Sequence, residues 1–285
     1  MAGWKEKLLS KAGKEVLIQA VAQAILTYSM SCFKIPDSLC DEMTSLIRNF
    51  WWGQRKDERK MAWISWDKLC APKANRGLGF KQLKQFNLAL LAKQELRLQV
   101  GSDSLVYRVF KVRSFPNYDF VPASMGRNPS YVWRNILVAQ EVVKKGIKWQ
   151  VGNGNRIGIW RDKWLPTPSI HKVVSPPSVL PLDVIMDVLI DVEAGEWKKE
   201  LVQWHFLPHE AEVIQGIALS SRLPEDRQVW TQLANKCFSM KSAYKIAVDI
   251  KSRSDSGAVS DESSLRKFWK HFWQFNVPHK VRHFT

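Results

Sequence analysis

Hydrophobic residues recur at helical spacing through most of the chain, and the clearest pattern lies between positions 38 and 53. It opens with Ser38 and Asp41, a pair that predicts a capping box at a helix start. Apolar residues then follow three or four positions apart, at Leu39, Met43, Leu46, Ile47 and Phe50. Because this spacing puts them on one face, the pattern predicts an amphipathic helix that ends at Gly53.

The segment before it is the most apolar part of the chain. Residues 4–30 predict a helix or a broken pair of helices, with the break at Ser10 or Gly13, and the eighteen residues of 16–33 carry no charge. Within them, one stripe is polar and the opposite side is apolar: Gln19, Gln23 and Thr27 against Leu17, Val21, Ala24 and Tyr28. This alternation favours an amphipathic helix with its apolar side buried over a transmembrane or signal segment.

A third helix is predicted from Leu83 to about Val100, with Lys84, Lys93 and Arg97 on its polar side. Three amphipathic helices with short joins predict a small helical bundle in residues 1–100. Further helices are predicted around 105–111 and 130–145.

The period changes after position 146. Residues 147–151 and 157–160 alternate in polarity around Gly152-Asn153-Gly154-Asn155, which predicts a β-hairpin near 147–160. The Gly-Asn-Gly run also permits a phosphate-cradling loop, although no helix start follows it. A second short hairpin is expected around residues 234–236, ahead of a helix from Lys241 to about Ile250.

Two stretches predict linkers. Residues 166–181 are rich in proline and serine, which indicates an extended linker, and residues 251–264 have the composition of a disordered one. A last amphipathic helix follows, with one aromatic face at Leu265, Phe268, Trp269, Phe272 and Trp273. The predicted fold class is therefore mainly α with small β-hairpins: a helical bundle, an α+β connecting region, and a further helical region.

The charge and the aromatic content of the chain indicate what kind of partner it binds. The formal net charge is +16 and the chain holds fourteen tryptophans. Such an excess of cations favours a polyanionic partner, with nucleic acid ahead of an acidic membrane. The four cysteines are widely spaced and form no CxxC pair, which is typical of reduced, intracellular thiols.

Aromatic residues and charge coincide between Phe50 and Phe80. Trp51, Trp52, Trp63 and Trp66 surround the basic insert 54–60. This combination suggests a nucleic-acid surface, on which cations neutralise phosphate and rings stack on bases. The alternative is that the tryptophans belong to the core and the insert is a solvated loop.

Several motifs in register carry a resemblance to a known family. They are FWWG at 50–53, LCAPK at 69–73, GLGF at 77–80, LLAK at 90–93, YVWRNIL at 131–137, GIKWQVGNGNRIGIWRDKWLP at 146–166 and FSMKSAY at 238–244. In this order they resemble the C-terminal part of plant LINE-type (non-LTR) retrotransposon reverse transcriptases. The resemblance covers almost the whole chain.

The resemblance implies an organisation and a role. Residues 1–100 would be a thumb-like helical region, 101–225 a connecting region, and 226–285 the truncated start of a zinc-binding domain. The intact family is an RNA-directed DNA polymerase that uses divalent metal held by paired aspartates, and zinc held by ligands that would lie beyond this chain. Because no two aspartates are adjacent here, we expect a non-catalytic fragment with no cofactor or small-molecule substrate of its own.

In such a protein the thumb holds the template-primer duplex through its backbone. The expected partner is therefore nucleic acid, an RNA-DNA or RNA template-primer, and not a membrane. The expected location is intracellular, and nuclear if the protein is functional. The residues expected to contact phosphate are Lys11, Lys14, Arg55, Lys56, Arg59, Lys60, Lys93 and Arg97.

Other candidate sites have weaker patterns. Asp183, Asp187 and Asp191 recur every four residues, which suits either a metal-binding helix face or, more commonly, a solvated one. The pairs His205/His209 and His279/His283 have zinc-ligand spacing but lack the cysteines of a complete site.

The sequence departs from the resembled pattern at three places. Arg76 stands where the family usually has glycine, Leu96 where it has tryptophan, and 235–237 replace a glycine-containing turn. The rival functions are a protein-interaction or scaffold module, an enzyme in its own right, and a pseudogene product without a role.

Overall fold

The computed structural model describes residues 9–53, 61–100, 104–114, 129–167, 170–177 and 180–255. The helices in this part of the chain are α1 Lys11–Leu17, α2 Thr27–Cys32, α3 Asp37–Trp52, α4 Trp66–Cys70, α5 Leu83–Val100, α6 Leu105–Ser114, α7 Tyr131–Leu137, α8 Gln140–Gly146, α9 Lys199–His205, α10 Pro208–Gln215 and α11 Met240–Asp255. The strands are β1 Ile147–Gln150, β2 Ile190–Asp191, β3 Glu196–Trp197 and β4 Arg227–Trp230. The predicted fold class, mainly α with small antiparallel β pairs, is confirmed.

Helix α5 is the central element of the helical part. It packs against α2, α3, α6, α7, α8 and α11, and its buried residues lie on more than one face. Asn87 is fully buried and donates to the carbonyls of Met30 (2.7 Å) and Phe33 (2.9 Å), while its side-chain oxygen accepts from the Ile35 N–H (2.8 Å). The side-chain amide of Asn87 thereby satisfies two backbone carbonyls at the end of α2 and one N–H of the chain that follows it.

The first helix has the opposite orientation to the one predicted. It is α1, a π-helical turn at Ile18–Ala22 and then α2, with Gln23 only 1% exposed and Tyr28 81% exposed. The physical reason is hydrogen bonding: the side-chain amides of Gln19 and Gln23 donate to the carbonyls of Leu78 (3.0 Å) and Lys81 (3.5 Å). Gln23 is therefore buried against the protein, Gln19 contacts it from an exposed position, and Val21 and Tyr28 face solvent.

The start of α3 also differs from its prediction. The helix begins at Asp37 after Pro36, which supplies no side-chain cap, so the Ser38–Asp41 capping box is wrong. Asp37 pairs instead with Lys34, at 2.5 Å, and Asp41 with Lys84, at 2.8 Å. The end of the helix is as predicted, because Gly53 adopts the left-handed conformation of a helix C-terminus (φ 68°).

The predicted hairpin at 147–160 is wrong in its pairing. Strand β1 pairs antiparallel with β4, from Ile147 opposite Trp230 to Gln150 opposite Arg227. The segment after the glycine turn pairs elsewhere: the Ile159 N–H donates to the Val184 carbonyl (3.2 Å) and the Met186 N–H to the Ile157 carbonyl (2.9 Å). The second predicted hairpin forms only as a turn: the Trp230 N–H donates to the Lys236 carbonyl (3.1 Å), but the strand that pairs with β4 is β1.

The proline-rich segment is fixed to the body of the protein, contrary to the linker prediction. The buried Glu210 carboxylate on α10 accepts from the N–H groups of Val174 (2.7 Å) and Ser175 (3.0 Å) and from the Ser175 hydroxyl. That hydroxyl in turn accepts from the Leu207 N–H (2.8 Å). Residues 170–177 therefore cover a core of β2, β3, α9, α10 and the 157–165 segment.

Helix α11 packs against α5 and α8. The Tyr244 hydroxyl accepts from the Gln82 N–H (2.9 Å), and its ring contacts Phe86 edge-on. Residues 251–255, expected to open a disordered linker, continue this helix; 256–264 and the predicted final helix lie outside the described residues. Among the helices that are described, none is long and apolar enough to cross a membrane.

Candidate nucleic-acid interface

Two of the predicted phosphate contacts, Lys11 and Lys14, are engaged within the protein. Lys11 Nζ donates to the Trp51 carbonyl and Lys14 Nζ to the Phe50 carbonyl, each at 3.0 Å, and both ammonium groups lie over aromatic rings of α3. They therefore satisfy the last carbonyls of α3, where a cation is favoured by the helix dipole. This geometry ties α1 to α3.

The tryptophans of the 50–66 stretch divide between core and surface. Trp66 stacks on Phe80, with ring centroids 5.3 Å apart, and Trp51 meets the same ring edge-on at 5.4 Å. Trp63 is 79% exposed. The core interpretation therefore holds for Trp51 and Trp66, and Trp63 remains available to stack on a partner.

The remaining predicted residues lie on two elements. Lys93 and Arg97 are exposed, one turn apart on α5. Arg55, Lys56, Arg59 and Lys60 lie outside the described residues. Lys93 and Arg97 are thus the two predicted contacts that the structure places at the surface without a role in packing.

The Gly-Asn-Gly turn binds a carboxylate of the protein itself, the side chain of Asp226. The buried Asp226 carboxylate, ahead of β4, accepts from the N–H groups of Gly152 (2.7 Å), Gly154 (3.0 Å) and Arg156 (2.9 Å). Successive N–H groups pointing into one concavity form an anion-binding nest. Because Asp226 already fills it, the phosphate-cradling alternative for this loop is wrong.

The candidate metal patterns do not form a site in the described residues. Asp187 lies in a 3₁₀ turn at Met186–Leu189, and Asp191 caps the β2–β3 turn by accepting from the N–H groups of Glu193 and Ala194. The helix that would have aligned the three aspartates is therefore missing from 183–191. Across the described ranges no group of three potential ligands comes together, and His279 and His283 lie outside them.

A basic pocket lies between α8, β1 and residues 161–163 and 172. Its volume is about 280 Å³ and its lining contains five cations against one carboxylate: Lys144, Lys148, Arg161, Lys163 and Lys172 against Asp162. Trp149, Ile147 and Gln228 complete the lining. We refer to this feature as the basic pocket.

Backbone hydrogen bonds hold the walls of the basic pocket in place. The Trp149 N–H donates to the Lys163 carbonyl (2.6 Å), and the N–H groups of Trp164 and Leu165 donate to the His171 carbonyl (2.8 and 3.0 Å). Lys163 Nζ donates to the Lys144 carbonyl (2.7 Å) at the end of α8. The lining is thus formed by a paired strand and a tied-back loop, which is a more rigid support than a free loop.

The positive charge of the basic pocket is incompletely neutralised. Desolvation by burial, together with the charge of Lys236, lowers the pKa of Lys148; burial and the charges of Lys172 and Lys145 lower the pKa of Lys163. Asp162 is shared between the Gly158 N–H (2.8 Å) and Arg161 (3.4 Å). A bound anion would relieve this repulsion.

A signal for the basic pocket was present in the sequence. Residues 148–164 interleave cations and tryptophans in the same way as 50–66, with Lys148-Trp149, Trp160-Arg161 and Lys163-Trp164. What the pattern could not give was which of these rings become core. Trp164 is buried and donates to the Ile159 carbonyl (2.9 Å), whereas Trp149 is half-buried, packs against the same core and also lines the pocket.

The fold and the basic pocket define a mainly helical protein with a cationic, aromatic-walled cleft. The chain belongs to the family of the "Uncharacterized mitochondrial protein AtMg00310" of Arabidopsis thaliana, with which it shares 38% identity over 153 residues; the match covers 52% of this chain and 99% of that protein. It is also 26% identical to the "Putative ribonuclease H protein At1g65750" of Arabidopsis thaliana. That alignment covers 100% of this chain and 45% of the relative, so the chain spans less than half of the longer protein.

Comparison with family models gives no match, and no solved structure matches the chain.

Proposed function

We propose that the chain is a non-catalytic part of a retrotransposon-derived reverse transcriptase of the LINE type, and that it holds the template-primer by its phosphate backbone. The observation that carries this proposal is the basic pocket, in which five cations face one carboxylate. Phosphate contacts of this kind position a nucleic acid without reading its sequence.

Two further observations support the proposal. The net charge of +16 exceeds what the five cations and one carboxylate of the pocket account for. Such an excess is expected of a protein that contacts a polyanion at many phosphates. The chain is also alignable along its whole length with a plant relative whose printed name refers to ribonuclease H. The role is non-catalytic because the sequence lacks the adjacent aspartates on which polymerisation by the resembled family depends.

The experiment is a filter-binding series with an RNA-DNA hybrid that carries a single-stranded template overhang, measured at several salt concentrations. We expect the logarithm of the affinity to fall linearly with the logarithm of salt, by a slope of about 0.9 for each neutralised phosphate of a duplex. The same protein should not extend the primer when Mg²⁺ and nucleotides are added. Binding that ignores salt, or no binding in dilute buffer by the folded protein, would contradict the proposal.

Charge-reversal variants locate the contacts. Lys148→Glu with Lys172→Glu in the basic pocket should flatten the salt slope by about two contacts. The matched control is Lys199→Glu with Lys245→Glu, two exposed lysines on α9 and α11 away from the pocket lining. An equal loss of slope in both pairs would show that general charge, and not the pocket, holds the nucleic acid.

The predicted loop is tested separately. Reversing the charge of four residues together should flatten the salt dependence of the affinity if that segment also contacts the hybrid. The four residues are Arg55, Lys56, Arg59 and Lys60. An unchanged slope would remove these four residues from the interface and leave the basic pocket as its centre.

A further inference from the structure

We propose that the basic pocket binds one nucleotide unit of single-stranded nucleic acid, with the phosphate among the lysines and the adjoining base stacked on Trp149. The inference rests on the proposed function and specifies the ligand of the same site. It assigns the pocket to the unpaired template strand and leaves the duplex to other contacts.

The shape of the pocket is the first argument. At about 280 Å³ it is a concave cleft of nearly the size at which small-molecule sites begin, about 300 Å³. A duplex presents a convex backbone with its bases paired inside, so it can offer this cleft phosphate oxygens only. An unpaired strand can turn a base outward and insert it.

The lining provides for both halves of a nucleotide. Lys148 and Lys172 supply charge, and among the described residues neither has a carboxylate within ion-pair distance. Trp149 supplies a flat ring, and base-aromatic stacking is tolerant of sequence because every base has such a face. The Arg156 guanidinium lies 5.7 Å from the Trp149 ring centroid and helps to fix the ring.

The position of Trp149 on a paired strand is the third argument. Lys148 lies opposite Val229 and Trp149 lies opposite Gln228, so the β1–β4 register fixes the position of both residues in the lining. The backbone N–H of Trp149 donates to the Lys163 carbonyl (2.6 Å), which ties strand β1 to the opposite wall. The site is therefore organised before the ligand arrives, which lowers the entropy lost on binding.

The test compares three fluorescently labelled probes of equal length: single-stranded oligothymidylate, a blunt RNA-DNA hybrid, and the same hybrid with a single-stranded overhang. Fluorescence anisotropy should show that the single strand and the overhang bind more tightly than the blunt hybrid. Trp149→Leu should weaken single-strand binding about tenfold and blunt-hybrid binding much less, because a paired base cannot stack on the ring. Trp149→Phe should retain most of the affinity, because the phenyl ring still stacks.

The control is Trp204→Leu, because Trp204 is 77% exposed on α9 and does not line the pocket. Thermal melting checks that each variant folds. If Trp149→Leu does not fold, Lys148→Gln with Lys172→Gln replaces it and should reduce single-strand affinity more than Lys199→Gln with Lys245→Gln does.

The two proposals fail in different ways. The nucleotide pocket is overturned if all three probes bind with equal affinity. It is also overturned if Trp149→Phe binds as weakly as Trp149→Leu. In both cases the proposal of nucleic-acid binding stands. Failure of the folded protein to bind any probe overturns the proposed function and the pocket together.

Discussion

Arg76 and Lys236 have backbone conformations that suit glycine. Their φ angles are 61° and 57°, in the left-handed region where a side chain crowds its own backbone. These are also the places where the resembled reverse transcriptases carry glycine, at 76 and in the turn at 235–237. The structure therefore gives a physical meaning to two departures that the sequence alone could only note.

Replacing either residue by glycine should stabilise the protein. We expect Arg76→Gly and Lys236→Gly each to raise the free energy of unfolding by about 1 kcal/mol, since glycine removes the left-handed penalty at the cost of some backbone entropy. Urea denaturation monitored by circular dichroism measures the change. Arg48→Gly, in the middle of helix α3, is the matched control and should lower stability by about 1 kcal/mol. A loss of stability in all three variants would contradict the strain argument.

At the scale of the element, hydrophobic periodicity predicted which segments are helical better than it predicted which face is buried. Helices α3, α5 and α11 lie close to where the pattern placed them, because long amphipathic or apolar runs leave few alternatives. The first helix is inverted, since the carbonyls of Leu78 and Lys81 lie beside it and need the donors of Gln19 and Gln23. No pattern within residues 11–33 contains that information.

The strand pairing shows the same limit. The alternation at 147–151 correctly indicated a strand, but its partner β4 lies far along the chain: Lys148 pairs with Val229, 81 residues on, and Ile147 with Trp230, 83 residues on. The local turn signal does not lead to a hairpin, because the N–H groups of Gly152 and Gly154 donate to Asp226 and not to a returning strand. The basic pocket depends on this distant pairing, so its lining could not be assembled from the sequence.

The nest around Asp226 predicts that the substitution Asp226→Asn lowers the stability of the protein strongly, although it changes few atoms. Asp226→Asn keeps the size of the side chain but replaces one acceptor oxygen by an amide that points at an N–H. We expect stability to fall by at least about 2 kcal/mol, because charge-assisted hydrogen bonds to Gly152, Gly154 and Arg156 are lost or weakened. Denaturant unfolding measures this, and amide exchange at the same three residues should become faster.

Asp191→Asn is the matched control for this element. A single Asp191 oxygen accepts from Glu193 and Ala194 in an exposed turn, so an amide oxygen can replace it at a cost below about 1 kcal/mol. Equal losses at Asp191 and Asp226 would show that the nest has no special role in holding β4 to the 152–156 turn.

At the scale of the whole molecule, α5 connects the separate parts of the core. Its residues Phe86 and Leu90 belong to the core with α3, Ala89 and Leu91 to the core with α8 and α11, and Leu98 to the core with α6 and α7. Between them lies Glu95, a carboxyl group that is 1% exposed and whose Oε2 has no hydrogen-bond partner among the described residues. Burial raises its pKa to about 8, against the opposing effect of Lys144.

Glu95 makes the stability of the molecule depend on pH. Its pKa is about 8 in the folded protein and near the ordinary value of 4.5 in the unfolded chain, so the folded state holds the proton more tightly. Below pH 4.5 Glu95 is protonated in both the folded and the unfolded state, so it does not make the free energy of unfolding depend on pH. Between that pH and about 8 the unfolded chain alone releases the proton, so stability falls as pH rises, by up to about 1.4 kcal/mol per pH unit.

Glu95→Gln should remove this slope. The variant should match the native protein near pH 4.5 and exceed its free energy of unfolding at pH 8, by at most about 4 kcal/mol, because the amide never has to be buried as an anion. Urea denaturation at pH 5, 6.5 and 8 measures the difference, with Glu141→Gln as control, since Glu141 is exposed and pairs with Lys145. Parallel pH profiles for native protein and Glu95→Gln would mean that Glu95 is charged in the folded state. In that case Lys144 would be held by Glu95, and the cationic balance of the basic pocket would have to be recounted without it.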